Sequence, residues 1–363
     1  MDHSSRLRRL QAVLPENKLD LLLVTHLPNV RYLCGFTGSA GALLVSDRGV
    51  SFFTDGRYIA QARAEVCGAQ IVIARKAPFL AAVESLAGSR TGGVSKKVLG
   101  LEGETVPVVM RDRIAARLRP RFKVRSAPQL VERARMVKDA EEIGCIRRAV
   151  ELGARLFPII RKKIRPGTRE VEVAGSMEYA ARCAGAEGMS FSTIIASGQR
   201  SAVVHGRASE AAIPRRGFVV CDFGVILTGY CSDRTRTVHV GRPSRAARQM
   251  YEAVREAQQA AIAVVRPGVA AGEVDGAARR VLRKWKLARY FTHSTGHGLG
   301  LEIHEAPRLA AAQTQRLEPG MVITIEPGAY IPGKWGVRIE DVVVVTPSGC
   351  EVLAPRDNEL IVI

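Results

Sequence analysis

Short apolar runs alternate with helix-like segments over the first third of the chain, and this alternation restricts the fold more than any other feature. Five runs are rich in Val, Ile, Leu and Phe, and several end in glycine or aspartate turn signals: residues 19–25, 41–47, 50–56, 69–74 and 97–103. Between them, residues 57–66 and 79–88 carry apolar side chains at helical intervals. This pattern predicts an α/β domain over residues 1–127, with a largely parallel or mixed sheet.

From residue 139 onward the sequence pattern changes to longer helical segments separated by groups of strands. Asp139 is placed to cap a long helix that runs to about Lys163, and Pro166-Gly167 would end it. The remaining patterns predict helices over 170–184, 245–265 and 272–287, two strands joined by a turn over 217–240, and a strand-rich tail over 320–363. We therefore predict a linker at 128–138 and an α+β domain at 139–363, because 363 residues are enough for two cores.

The chain is strongly basic, with a formal net charge of +19. Nucleic-acid binding would be one explanation of this charge. Against it, the basic residues are dispersed, aromatic residues make up only 5%, and no nucleic-acid motif is found. The densest basic run, residues 111–125, has helical spacing and is interpreted as a solvated helix face. Nucleic acid is therefore not expected as a partner.

The cysteines and the first thirty residues bear on the compartment. The seven cysteines are odd in number and widely spaced, without the CxxC spacing of structural zinc or redox sites, so we expect reduced, mostly buried thiols. The first thirty residues contain neither a long apolar run nor a small-residue cleavage site. We expect no signal peptide, no membrane span and a cytoplasmic location.

Acidic residues interrupt apolar strand-like runs in the second half of the chain. Asp222 lies in GFVVCDFG, Glu326 in MVITIEPG, and Glu340 between GVRI and DVVVV. Because buried acids are rarely left without a partner, three of them in separate apolar strands indicate a shared cation. Asp233 follows Asp222 by eleven residues, and a hairpin would bring the two together. His297, between two glycines, adds an imidazole, which favours Mn, Co, Fe or Zn.

These segments resemble the Xaa-Pro peptidases, aminopeptidase P and prolidase, within the metallopeptidase family that includes methionine aminopeptidase. The resemblance covers essentially the whole chain, since RYLCGFTGSAGALLVSDRGVSFFTDGRYIAQA is similar to their N-terminal domain. It implies a creatinase/prolidase-like N-terminal domain followed by a catalytic domain of the pita-bread fold. It also implies two divalent metal ions per chain, with Mn first and Co, Zn or Fe as alternatives.

The resemblance assigns a role to each residue that matches the family pattern. It makes Asp222 a ligand of one metal, Asp233 and Glu340 bridging ligands, and His297 and Glu326 ligands of the other. Glu326 is also the candidate proton shuttle. The neighbouring residues are assigned as follows: His304 to stabilise the tetrahedral intermediate, His293 and His205 to contact substrate, Arg338 to organise the site, and Arg308 to contact the substrate carboxylate. A structural salt bridge is the alternative for Arg338, and an ordinary surface arginine is the alternative for Arg308.

The resemblance implies a cytoplasmic, homodimeric exopeptidase that cleaves the Xaa-Pro bond at peptide N-termini, in the manner of aminopeptidase P. Its substrates would be proline-containing peptides, whose imide bond lacks an N–H and has a fixed φ. The main alternative is a prolidase restricted to dipeptides. Two further alternatives are a non-catalytic binding module on the same fold and a metal-free enzyme acting on creatine-like substrates.

Overall fold

The computed structural model describes residues 1–88, 96–354 and 357–363. The chain divides into two compact units, Met1–Arg135 and Met136–Ile363, called here the N-terminal and C-terminal units. The residues predicted as a linker, 128–138, contain a short helix, Leu130–Met136. None of the described helices is both long enough and apolar enough to cross a membrane.

The N-terminal unit is built on one six-stranded mixed sheet, which confirms the predicted sheet type. Its strands are β1 Leu21–Val24, β2 Ala42–Ser46, β3 Gly49–Asp55, β4 Gln70–Ala74, β5 Lys97–Glu102 and β6 Phe122–Ala127. Its helices are α1 His3–Val13, α2 Leu27–Cys34, α3 Ile59–Glu65, α4 Pro78–Gly88, α5 Val108–Leu118 and α6 Leu130–Met136. The sheet order is β4-β3-β2-β1-β5-β6; β2 is antiparallel to both neighbours, and the other pairs are parallel. Helices α4 and α5 pack their apolar faces against this sheet.

The helical prediction for residues 111–125 is wrong over its second half. Helix α5 ends at Leu118, and residues 122–127 form strand β6, parallel to β5. Pro120 explains the change, because the residue before a proline is pushed out of the helical region and towards extended conformations. After it, Phe122 is buried while Lys123 is exposed, which is strand-like alternation.

The C-terminal unit contains four long helices and thirteen strands among its described residues. The helices are α7 Ala140–Arg161, α8 Glu170–Cys183, α9 Arg245–Val264 and α10 Ala271–Lys284. The strands are β7 Gly188–Met189, β8 Ile194–Ser197, β9 Gly217–Phe223, β10 Val225–Leu227, β11 Tyr230–Cys231, β12 Arg234–Val240, β13 Gly296–Gly298, β14 Glu305–Leu309, β15 Val322–Ile325, β16 Gly328–Ile331, β17 Trp335–Arg338, β18 Asp341–Val345 and β19 Cys350–Val352. As predicted, Asp139 caps α7, and it forms a reciprocal capping box with Glu142.

Residues 217–240 form four strands rather than the two predicted. The long strands β9 and β12 pair antiparallel, and between them β10 and β11 form a side hairpin that pairs with β7. The chain leaves the main sheet at Gly224, where a side chain could not fit because a Cβ would lie 1.9 Å from the Ser232 carbonyl oxygen. Thr228 and Gly229, both at positive φ, make the tight turn of the hairpin.

The helices cover the strands in two groups, each with its own apolar core. Helices α7 and α8 pack against β9 and β12, whereas α9 and α10 pack against β15 and β18. The acidic residues selected from the sequence lie on or next to these four strands: Asp222 on β9, Asp233 before β12, Glu326 after β15 and Glu340 before β18. The seven cysteines are all free thiols, and four of them are buried: Cys34, Cys145, Cys221 and Cys231.

Candidate functional site

One pocket of the C-terminal unit, with a volume of about 470 Å³, brings together all ten residues selected from the sequence. They are Asp222, Asp233, His297, Glu326, Glu340, His293, His304, His205, Arg338 and Arg308. Apolar side chains complete the wall, namely Phe191, Ile194, Val204 and Ile303. The pocket therefore combines a carboxylate–imidazole cluster with an apolar surface.

Four strand ends position the carboxylates. Asp222 lies on β9 directly opposite Thr235 of β12, and Asp233 immediately precedes β12. Glu326 follows the last residue of β15, and Glu340 precedes the first residue of β18, which is paired antiparallel with β15. Two pairs of neighbouring strands thus bring four carboxylates into one pocket.

Three of the four carboxylates, those of Asp222, Asp233 and Glu340, are buried, and each has one oxygen without a partner in the described part of the chain. Among the described residues, Asp222 Oδ1, Asp233 Oδ1 and Glu340 Oε1 are buried without a hydrogen bond. Burial and the neighbouring negative charges raise the pKa of Asp233 and of Glu326 well above their ordinary values, and raise the pKa of Glu340 to about 8. Buried acids with unpaired oxygens are the donor set of a divalent cation site, so this cluster fits a metal.

His297 supplies a nitrogen to the same cluster. Its Nε2 lies 3.6 Å from Asp233 Oδ2 and 3.4 Å from Glu326 Oε1, and ligand atoms of Asp233, His297 and Glu340 all lie within 4.8 Å of one another. Its Nδ1 is 3.0 Å from the Gly298 carbonyl oxygen, which assigns the proton to Nδ1 and leaves the Nε2 lone pair directed at the carboxylates. Burial lowers the pKa of His297 to about 4, so the ring is neutral, as a metal ligand must be.

The glycines beside His297 are required by the packing of the main chain around it. In the structure, a Cβ on Gly296 would lie 1.9 Å from the Thr324 carbonyl oxygen, and one on Gly298 would lie 2.2 Å from the Ala306 carbonyl oxygen. The glycines are therefore required for the close packing of β13 between β14 and β15.

Arg338 connects the carboxylates to the histidine side of the pocket. Its guanidinium contacts Asp222 Oδ2, donates to Thr235 Oγ1 at 3.1 Å and donates to Tyr330 Oη at 2.7 Å. Tyr330 Oη is also 2.9 Å from His293 Nε2. The two alternatives for Arg338, an organising role and a structural salt bridge, therefore do not exclude each other, because its salt bridge is to Asp222 of the cluster.

The histidines and Arg308 differ in their exposure. His293 is held at both ring nitrogens, by Tyr330 and by the Ser294 carbonyl oxygen, and burial lowers its pKa to about 4. A direct hydrogen bond from this ring to substrate therefore requires the Tyr330 contact to be given up. His304 stacks edge-on against His297 with ring centroids 4.4 Å apart, and His304, His205 and Arg308 are exposed on the pocket wall.

Two residues of this arrangement were missed in the sequence. Thr235 donates to Glu340 Oε2 at 2.7 Å and accepts from Arg338, and Tyr330 joins Arg338 to His293. The sequence does not single out Thr235, because the strand RTRTVHV begins with four polar residues and nothing distinguishes one of them from the others. Nor does it single out Tyr330, since a tyrosine in a strand is ordinary.

Comparisons with known proteins agree with this fold. Residues 144–347 match the model of Metallopeptidase family M24, and residues 6–137 match the Creatinase/Prolidase N-terminal domain. The chain is 36% identical to the Xaa-Pro dipeptidase of Pyrococcus furiosus, over 98% of this chain and 99% of that protein.

Solved structures give the same result. The Xaa-Pro dipeptidase from Bacillus anthracis is 39% identical with a TM-score of 0.93, over 99% of this chain and 100% of that one. The X-Pro aminopeptidase from Thermotoga maritima is 34% identical with a TM-score of 0.88, over 99% of this chain and 100% of that one.

The fold and the site together define a metallopeptidase. More particularly, the chain belongs to Metallopeptidase family M24. A Creatinase/Prolidase N-terminal domain precedes the M24 domain in the sequence. The predicted fold class, an α/β domain followed by an α+β catalytic domain of the pita-bread type, is confirmed. The complete carboxylate–imidazole cluster, with its unpaired oxygens, argues against the two remaining alternatives, a non-catalytic module and a metal-free enzyme.

Proposed function

We propose that this chain is a dinuclear-metal exopeptidase that hydrolyses the Xaa-Pro bond, with Xaa-Pro dipeptides as its main substrates. The observation that carries the proposal is the cluster of four carboxylates and one neutral imidazole, in which three buried oxygens have no partner among the described residues. Relatives named Xaa-Pro dipeptidase, similar over the full length of both chains, support the dipeptide preference.

Five residues would hold the two cations. Asp233 and Glu340 would bridge the ions, Asp222 would bind one of them, and His297 and Glu326 would bind the other. The ions would supply Lewis-acid polarisation of the scissile carbonyl and a lower pKa for the attacking water. Mn is the first candidate, with Co, Zn and Fe as alternatives, because the oxygen-rich donor set with one imidazole admits all four.

The protein side chains would position the substrate and move the proton. Glu326 would accept a proton from the attacking water at its carboxylate and deliver it to the leaving nitrogen of proline. His304 would donate a hydrogen bond to the developing oxyanion, and His205 and His293 would contact the substrate. Arg338 would keep Asp222 in place through the salt bridge and hold Tyr330 against His293.

The substrate would lie across the pocket with proline at the apolar wall. A proline ring is apolar and its imide nitrogen carries no hydrogen, so a surface such as Phe191 and Ile194 suits it without a hydrogen-bond acceptor. The exposed guanidinium of Arg308 on the same wall would bind the free carboxylate of a dipeptide. This contact is what would limit the length of the substrate.

The length preference is tested with matched substrates. We expect Arg308→Ala to lower kcat/KM for a Xaa-Pro dipeptide by about 10–100-fold, because a charge-assisted contact is lost. Hydrolysis of the corresponding Xaa-Pro-Xaa tripeptide amide should change little. Arg283→Ala, at an exposed position outside the pocket, is the control and should behave as wild type. Equal losses on both substrates would refute the length-limiting role.

Cleavage of longer peptides is the second candidate. The similarity to the X-Pro aminopeptidase from Thermotoga maritima over the whole chain favours it. A wild-type enzyme that hydrolyses Xaa-Pro-Xaa tripeptides more efficiently than Xaa-Pro dipeptides would establish this activity instead.

A cytoplasmic homodimer is the proposed state of the enzyme. The seven free thiols support a reducing compartment. Light scattering of the purified protein would give the mass of the assembly, and a mass of one chain would refute the dimer.

A further inference from the structure

The unusual feature outside the pocket is a second group of buried charges on the opposite face of strand β12. All seven residues of this strand, Arg234–Val240, are buried. Thr235 and Thr237 contact pocket residues, Glu340 and Arg338 respectively. Arg234 and Arg236 point the other way, as alternate residues of a strand must. The structure therefore buries charges on both sides of one strand.

Arg236 is the centre of this second group, and its side chain is 1% exposed. Its Nη1 donates to the carbonyl oxygen of Glu340 at 2.5 Å and to that of Thr235 at 2.9 Å. Its Nη2 donates to Asp341 Oδ1 at 2.7 Å and to Asp357 Oδ1 at 2.8 Å. The guanidinium thus contacts the main chain of Glu340 and the side chain of the residue that follows it.

Asp341 is held as completely as Arg236. Its carboxylate is fully buried; Oδ1 accepts from Arg236, and Oδ2 accepts from Gln258 Nε2 at 2.7 Å and from Asn358 Nδ2 at 3.1 Å. A buried ion pair generally contributes little more stability than apolar residues of the same volume would. A role in specifying position accounts better for a network of this size.

The position that these contacts specify is that of Glu340. Its main-chain N–H donates to the Thr235 carbonyl oxygen at 3.2 Å, its carbonyl oxygen accepts from Arg236, and its Oε2 accepts from Thr235 Oγ1 at 2.7 Å. These contacts leave Oε1 as the one oxygen of Glu340 without a partner among the described residues. Since Glu340 and Asp341 are adjacent on a strand, fixing Asp341 behind the sheet fixes Glu340 in the pocket.

We propose that Arg236 and Asp341 form a charged clamp that positions Glu340 for metal binding. The clamp rests on the proposed metal site. Its members touch neither substrate nor the reacting atoms, so they are positioning residues. Partners of metal ligands of this kind typically change metal affinity by about 10–100-fold when they are altered.

The test is a titration of chelator-treated full-length protein with Mn²⁺, in which free Mn²⁺ is followed by electron paramagnetic resonance. The variants are Asp341→Asn, which removes the charge at nearly constant shape, and Arg236→Lys, which keeps the charge but loses the forked geometry. We expect each to weaken Mn²⁺ binding by about 10–100-fold. Thermal unfolding of the metal-free proteins by circular dichroism gives their stability.

Glu170→Gln is the matched control. Glu170 is also a fully buried carboxylate of the C-terminal unit, but its oxygens accept from Ser197, Arg200 and Ser209, away from the cluster. We expect this variant to lose stability while it retains the wild-type affinity for Mn²⁺. Equal loss of affinity in Glu170→Gln and in both clamp variants would overturn the clamp, since general destabilisation would then explain it.

The remaining outcomes separate the clamp from the proposed function. Wild-type affinity in the clamp variants overturns the clamp alone, and a wild-type protein that binds no Mn²⁺ overturns both proposals. Weakened Mn²⁺ binding in the clamp variants, with no Xaa-Pro hydrolysis by the wild type, supports the clamp and refutes only the peptidase.

Discussion

Glu102 of the N-terminal unit and Glu340 of the pocket are both buried, yet their surroundings differ. Glu102 Oε2 accepts from the main-chain N–H groups of Thr25 and His26, at 2.7 and 2.8 Å, and its Oε1 accepts from Asn29 at 2.7 Å. This carboxylate therefore binds the main chain of the two residues that precede α2. Glu340 has one satisfied oxygen and one without a partner among the described residues. Burial raises the pKa of both carboxylates.

The comparison shows that burial and a raised pKa do not by themselves identify a functional acid. The distinguishing property is whether the protein itself satisfies the oxygens of the carboxylate. Where it does, as at Glu102, removing the acid should affect folding. Where it does not, as in the pocket, removing the acid should affect the binding of a cation.

The largest effect is expected from substitution of a bridging acid. We expect Asp233→Asn to reduce kcat/KM for Xaa-Pro dipeptides by on the order of 10³-fold or more, because an amide cannot replace a bridging carboxylate. Initial rates with Mn²⁺-loaded protein measure this effect. Glu102→Gln is the control, and a comparable loss of activity in that variant would remove the distinction between the two acids.

Metal affinity should depend strongly on pH. The pKa of Glu340 is about 8 in the metal-free fold, so a cation must displace a proton below that pH. We expect Mn²⁺ affinity to rise with pH by up to about tenfold per unit between pH 6 and 8, for each proton displaced. Calorimetry in two buffers of different ionisation enthalpy measures the released protons. Affinity that is constant over this range would show that the cluster is already ionised.

The same raised pKa has an opposite consequence for the metal-free chain. The folded chain holds the proton of Glu340 more tightly than the unfolded chain does. This contribution to stability is therefore complete below the ordinary pKa of about 4.5 and is lost as pH rises to about 8. Glu340→Gln cannot titrate, so chemical denaturation of metal-free wild type and Glu340→Gln should show a difference that grows with pH.

Binding of metal should stabilise the fold, and the gain should grow with the logarithm of the metal concentration. At a free Mn²⁺ concentration 100 times the Kd of a site, we expect each bound ion to add about 2.7 kcal/mol to the free energy of unfolding. Asp233→Asn should gain much less, whereas Glu102→Gln should gain as much as wild type. Denaturant titrations with and without Mn²⁺ provide the comparison, and an equal gain in Asp233→Asn would place the ion elsewhere.

The smallest effect concerns the satisfied acid. We expect Glu102→Gln to lower the free energy of unfolding by about 1–3 kcal/mol, because the start of α2 loses a charged acceptor. Metal-free Asp233→Asn should instead be as stable as wild type or more stable, since it removes a carboxylate from a repelling cluster. Urea denaturation of the metal-free proteins measures both values.

The residues of the site could be selected from the sequence, but their supporting contacts could not. Asp222, Glu326 and Glu340 stood out because each interrupts an apolar run, and the family resemblance supplied the rest. Thr235 and Arg236 looked like ordinary polar positions of a half-exposed strand, because burial of both faces of β12 is decided by distant segments. Asp341 resembled a second acid beside Glu340, although it faces away from the pocket.

The fold was predictable to a similar degree. Helices such as α7 have a local signature, a capping residue at the start and a turn after the end, and these were predicted within a few residues. Two strands were predicted between 217 and 240, but the short strands β10 and β11 between them were missed, because β10 pairs with β7, which lies outside that segment. The switch from helix α5 to strand β6 was missed, because the helical spacing of residues 111–125 was followed past Pro120, although a proline disfavours helix at the residue before it.

The number of metal ions bound per chain can be counted by elemental mass spectrometry on protein that has been stripped of metal and reloaded. We expect two ions in the wild type and in Glu102→Gln, and a clear loss in Asp233→Asn. A wild type that retains fewer than one ion per chain, or an Asp233→Asn variant that still holds two, would contradict the claim that the unpaired carboxylate oxygens are metal ligands.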